Sequence, residues 1–77
     1  MDRNYFRNYL NERGIKIGSL AKPLGCVPQH AYNVVDGRRE IKMDGAFKLK
    51  SYLRMTDDEF KKAFQDEEWF KLYEAGK

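Results

Sequence analysis

Between Pro28 and Asp36 the apolar and polar positions separate with the period of a helix. Ala31, Val34 and Val35 fall at i, i+3 and i+4 and make one apolar stripe. Gln29, Tyr32, Asn33 and Asp36 fall at i, i+3, i+4 and i+7 on the opposite side. Pro28 stands where a helix opens, because its missing N–H has no acceptor there, and Gly37 stands where a helix closes. The spacing predicts a helix over 28–36 with an apolar back and a polar front. Just before it, the stretch from Leu20 to Leu24 ends at Gly25, with Ala21 as the small residue at a helix crossing. Two short helices joined by a tight turn at Gly25 make a helix-turn-helix.

The same reading extends along the chain. Asp2 caps a first helix of 3–13 with Phe6, Tyr9, Leu10 and Arg13 on one face, and Gly14 ends it. Ile15 and Ile17 anchor the connection. The second helix starts at Gly18 or Ser19; with Ser19 as its N-cap, Pro23 falls near the end of the first turn, where it disrupts least. A basic loop, Arg38 to Lys42, is anchored by Ile41. Asp44 caps a fourth helix of 45–54, with Phe47, Leu49, Tyr52 and Leu53 as apolar candidates. Thr56 and Glu59 form a capping box for a fifth helix of 57–65 that buries Phe60, Ala63 and Phe64. After Gln65 to Glu68, the residues Trp69, Phe70, Leu72 and Tyr73 lie about half a turn out of phase with Phe60. That shift implies either a kink and a sixth helical segment, or a continuous helix with a second apolar face. No strand alternation or repeat interrupts this all-α pattern.

The residues of the turn also carry a resemblance. Leu20-Ala21-x-x-Leu24-Gly25, the aliphatic Val34, and Gly37 followed by basic residues resemble the Cro/cI-type helix-turn-helix of phage repressors and the XRE family. Leu10-x-x-Arg13-Gly14-Ile15 is similar to the end of that family's first helix. Leu49-x-x-x-Leu53-x-Met55-Thr56-x-x-Glu59-Phe60 is similar to its fourth and fifth. The resemblance covers about residues 3–64 and implies a compact five-helix lambda-repressor-like domain over 1–66, with a C-terminal aromatic and acidic extension over 67–77. Three positions depart from the family pattern: Pro23 inside the second helix, Val27 where Ser or Thr usually caps, and Ala31 where a larger aliphatic usually packs. Lacking the cap costs about 1 kcal/mol. Pro23 is expected to shorten or distort its helix.

Composition narrows the function. The 77 residues suffice for one domain, and 42% apolar content supplies one small helical core. A domain of this size buries about 60% of its unfolded surface. One cysteine forms no intramolecular bridge, which fits a reducing, cytoplasmic setting. The opening Met-Asp-Arg-Asn-Tyr has no apolar run, so no signal peptide is expected, and no segment approaches the roughly 20 apolar residues of a membrane span. The net charge of +3 is unevenly placed: residues 1–56 hold 11 Lys and Arg against 5 Asp and Glu, and residues 57–77 hold 4 against 7. A basic front with an acidic tail suits a nucleic-acid face with the tail turned away.

Cys26 and His30, four residues apart, invite a metal or a Cys–His reading. A zinc site needs four ligands and the sequence has no further Cys or His, so no metal, cofactor or enzymatic role is expected. Gln29 and Asn33 are primary amides that donate and accept together, matching the N6/N7 edge of adenine in the major groove. With Pro28 at the head of the helix, Tyr32, and an Asp36 that accepts from cytosine N4 or restrains a neighbouring arginine, they form the candidate base-contact set. A solvated helix face is also polar, which is the plain alternative. Arg38, Arg39 and Lys42 lie where the resemblance places phosphate clamps. Lys16, the Gly18 and Ser19 amides at the second helix's start, and His30 complete that set; Lys48, Lys50 and Arg54 read as a solvated face. Trp69, Phe70 and Tyr73 either pack against helices one and five or form a homodimer contact, which palindromic operators with half-sites about 34 Å apart require. The expected function is sequence-specific binding of double-stranded DNA by a dimeric transcriptional regulator, a repressor by resemblance, with no membrane role. The alternative is a protein-binding module, antitoxin-like or antirepressor, suggested by the lack of Arg and Lys on the 28–36 face.

Overall fold

Asp2 opens the first helix, α1 (Arg3–Glu12), by accepting the backbone N–H of Tyr5 at 3.1 Å. Its apolar stripe, Phe6, Tyr9 and Leu10, is buried as the spacing requires. The Tyr9 hydroxyl donates to the Leu53 carbonyl at 3.3 Å, and burial of the phenol raises its pKa. The structure, a computed structural model, describes residues 1–76; Lys77, the last residue of the expected extension, lies outside them.

The second helix differs from its expected form. Residues Ile17–Leu20 wind as a 3₁₀ turn, and only Ala21–Leu24 (α2) is α-helical. Ser19 is therefore not an N-cap: it sits inside the 3₁₀ turn, and its hydroxyl donates to the Lys16 carbonyl at 2.7 Å. Shortening is what Pro23 enforces, since a proline deep inside a longer helix would break an i→i−4 bond. Gly25 closes α2 at φ 67°, with the Gly25 N–H donating to Lys22 and the Cys26 N–H to Ala21. That pairing is a Schellman closure, and it needs the left-handed conformation glycine adopts without a Cβ clash.

The next helix, α3 (Pro28–Val35), starts with Pro28 in its first turn and with no side-chain cap from Val27, as expected. Ala31, Val34 and Val35 are buried. Gly37 (φ 80°) closes α3 in the same way, the Arg38 N–H reaching the Asn33 carbonyl at 2.9 Å. The fourth helix, α4 (Met43–Leu53), begins two residues earlier than expected, with Lys42 at the cap position; Asp44 lies in the first turn instead. Its buried side is Ala46, Leu49 and Leu53, while Phe47 and Tyr52 are exposed. Arg54 ends α4 at φ 55° and is the one non-glycine residue with positive φ among those described.

Both halves of the Thr56–Glu59 capping box are present at the start of α5 (Asp57–Phe64). Turns over 65–69 then redirect the chain into a sixth helix, α6 (Phe70–Ala75), which resolves the phase shift as a break. Among the described residues all regular structure is helical. Phe6, Leu10, Leu20, Val35, Leu49, Phe60 and Phe64 form the fully buried centre, and among the described residues no buried side-chain polar atom lacks a partner. Among the described residues no helix is long and apolar enough to cross a membrane.

Candidate nucleic-acid interface

The Schellman turn at Gly25 sets α3 against the core by its Ala31, Val34 and Val35 side and leaves its other side in solvent. Gln29 and Tyr32 are exposed and Asn33 is half-buried. One turn apart, the two amides touch: Gln29 Nε2 donates to Asn33 Oδ1 at 3.2 Å. Tyr32 leans towards the 3₁₀ turn, where a methyl group on Gly18 would stand 3.6 Å from its Cε2 and 3.8 Å from Pro28 Cβ. A side-chain carbon there would make only ordinary van der Waals contact, so the 3₁₀ turn lies beside the head of α3 without requiring glycine at 18. Lys16 and Ser19 are exposed there. The Ser19 amide expected to meet a phosphate is directed elsewhere: it donates to the Lys16 carbonyl at 3.0 Å, because the tighter 3₁₀ turn satisfies it internally.

Asp36 realises the second of its two expected roles, with an unforeseen arginine. Its carboxylate is ion-paired with Arg7 of α1, and its carbonyl accepts from Arg3 Nη1 at 2.6 Å. The ion pair engages one oxygen of that carboxylate and leaves the Asp36 side chain partly exposed. Arg3 also lies against Gly37, its Cδ 3.2 Å from where a methyl group would stand. Sequence reasoning left Arg3 and Arg7 unassigned. Their i, i+4 spacing beside the Phe6–Leu10 stripe was the available signal, since residues so spaced stand on one helix face.

Beyond α3, Arg38 and Arg39 are exposed, and their backbone N–H groups converge on the Asn33 carbonyl at 2.9 and 3.2 Å. That capping fixes where the two side chains leave the helix. Arg39 turns back along α3, placing Nη1 3.3 Å from His30 Nδ1. Lys42 is exposed at the head of α4. Cys26 and His30 both line a cavity of about 170 Å³ with Leu24, Val34, Arg39 and Ile41. Among the described residues no three His, Cys, Asp or Glu side chains come together as a ligand set.

The three C-terminal aromatics adopt the intramolecular arrangement. Phe70 is 2% exposed, which removes it from the expected dimer surface. Trp69 and Tyr73 are half-buried, with ring centroids 6.1 and 5.1 Å from that of Phe60. Trp69 Nε1 also donates to the Ile41 carbonyl at 2.9 Å, joining the tail to the loop after α3. The break at 65–69 is what turns these rings inward.

No protein-family model, no curated protein and no solved structure matches the chain.

Proposed function

We propose that this chain is a sequence-specific reader of double-stranded DNA. In this reading it is a small cytoplasmic transcriptional regulator of the Cro/cI type with a lambda-repressor-like helix order. It acts as a repressor and as a homodimer on a palindromic operator, with no cofactor or enzymatic step. The observation that carries the reading is the stance of α3. Its apolar side is locked in the core and its amide-bearing side, Gln29 and Asn33, faces solvent beside exposed Arg38 and Arg39. Amides in the major groove read base edges, and guanidinium groups beside them hold the phosphates that set register. The chain supplies both kinds of contact from one short segment. With Phe70 buried, the exposed large apolar side chains outside the α3 face that remain for a second copy are Phe47, Tyr52 and Leu72.

A second reading, as a protein-binding module, draws on Val27 and Tyr32. They are 56% and 43% exposed and give the same face apolar area without adding charge. Substitution separates the two. Gln29→Ala and Asn33→Ala should each lower affinity for a duplex selected by the protein by about 1–3 kcal/mol, leaving affinity for random DNA nearly intact. Equal losses on every duplex would contradict base reading.

A further inference from the structure

Between α3 and α4 the side chains of Arg38, Arg39, Glu40 and Lys42 are exposed, and Ile41 is the one buried side chain of that stretch. This loop is held at both ends. At its start the Asn33 carbonyl takes the N–H groups of Arg38 and Arg39. At its far end the Ile41 carbonyl takes the indole N–H of Trp69 at 2.9 Å, from 28 residues further along the chain. The indole is itself fixed, its ring centroid 6.1, 5.9 and 6.0 Å from those of Phe60, Phe64 and Phe70. The Ile41 carbonyl and the Lys42 N–H belong to one planar peptide unit, so holding the oxygen holds the direction in which the chain enters Lys42. The Lys42 carbonyl then accepts the Ala46 N–H at 2.9 Å, which opens α4. Arg39 leaves the same loop two residues before Ile41, with its Nη1 3.3 Å from His30 Nδ1.

Resting on the DNA-reading assignment above, we propose that Trp69 is a positioning residue for DNA binding: through the Ile41 carbonyl it fixes the loop that aims Arg39 and Lys42 at phosphate. Trp69 touches no nucleic acid itself. A cation on a loop ordered before binding loses less free energy on meeting its phosphate than one whose backbone must be ordered on contact. One net hydrogen bond corresponds to about a two- to tenfold change in an equilibrium constant. Docking of the indole on the loop and binding of DNA are then linked, and each strengthens the other by the same factor.

Phosphate contacts do not depend on sequence, so the test uses a labelled duplex of random sequence and the full chain, with affinity read by anisotropy. Trp69→Phe keeps a ring in the cluster and removes the donor. Under conditions where denaturant unfolding shows each variant to be folded, it should lower affinity about two- to tenfold. In a chain already carrying Arg39→Ala and Lys42→Ala, the same substitution should change affinity by less than about twofold, since the groups it positions are gone. A second readout needs no variant. The single tryptophan gives a single indole N–H resonance, whose exchange with solvent should slow about two- to tenfold when the duplex saturates the protein. Equal losses on Trp69→Phe in both backgrounds, no loss in either, or an indole N–H whose exchange ignores the duplex overturns the positioning role while the DNA-reading assignment stands. Failure of the unaltered chain to bind any duplex overturns both.

Discussion

Arg7 of α1 is ion-paired with Asp36 at the end of α3, joining the first helix to the helix that carries the candidate base-reading residues. The pair is partly exposed, with side chains 48% and 31% accessible, so its worth to folding is small, about 0–1 kcal/mol. Under the proposed DNA-reading function its larger consequence is electrostatic, because it neutralises an acid at the end of the proposed reading helix.

Arg7→Ala should therefore weaken DNA binding by more than it lowers stability. Affinity measured beside denaturant unfolding checks this, and Arg7→Ala combined with Asp36→Asn should recover most of the lost affinity. Equal losses in the single and double variants would show that Arg7 contributes its own phosphate contact.

Arg54 closes α4 in a backbone conformation that suits glycine (φ 55°), and the Met55 N–H completes the same Schellman pattern on the Lys50 carbonyl at 3.0 Å. Arg54→Gly should stabilise the fold by up to about 1 kcal/mol. Gly37→Ala should destabilise it by at least as much, since its φ is 80° and Arg3 crowds the added methyl. Opposite shifts in the urea midpoint are the expected result.

Phe70 fills the core against Phe60, with ring centroids 6.0 Å apart. Phe70→Ala should cost about 3–5 kcal/mol, a large part of the stability of a domain this small. Cutting the chain after Asp66 should leave it largely unfolded by circular dichroism. A truncated chain that keeps its helical signal and melts cooperatively would place the aromatics outside the folding unit.

Most of the helices were legible because their signals are local. The Ala31–Val34–Val35 stripe, the Asp2 cap, the Thr56–Glu59 box and the glycines at 25 and 37 each act within one turn, so neighbouring residues determine them. What escaped depended on partners far along the chain. Asp36 found Arg7, 29 residues away, and Trp69 found the Ile41 carbonyl, 28 residues away; no periodicity encodes such pairings. Ser19 was misplaced for a different reason. A 3₁₀ turn and an α-helix start share the same sequence cues, and Pro23, which has no N–H to give to the Ser19 carbonyl, disfavours the longer α-helix. At the candidate interface the amides of exposed Gln29 and half-buried Asn33 were readable as one face, but their mutual hydrogen bond required the side-chain geometry.

The central claim is most directly tested by fluorescence anisotropy of a labelled duplex, selected by the protein, titrated with the full chain over a range of salt concentrations. The account predicts binding whose log K falls linearly with log[salt]. The slope should become shallower by about one to two units per subunit when Arg38 and Arg39 are both replaced by Ala. Binding that ignores salt, or a slope unchanged by the double substitution, would contradict the assignment of this loop to phosphate, and absence of binding to any duplex would contradict the DNA-reading function itself.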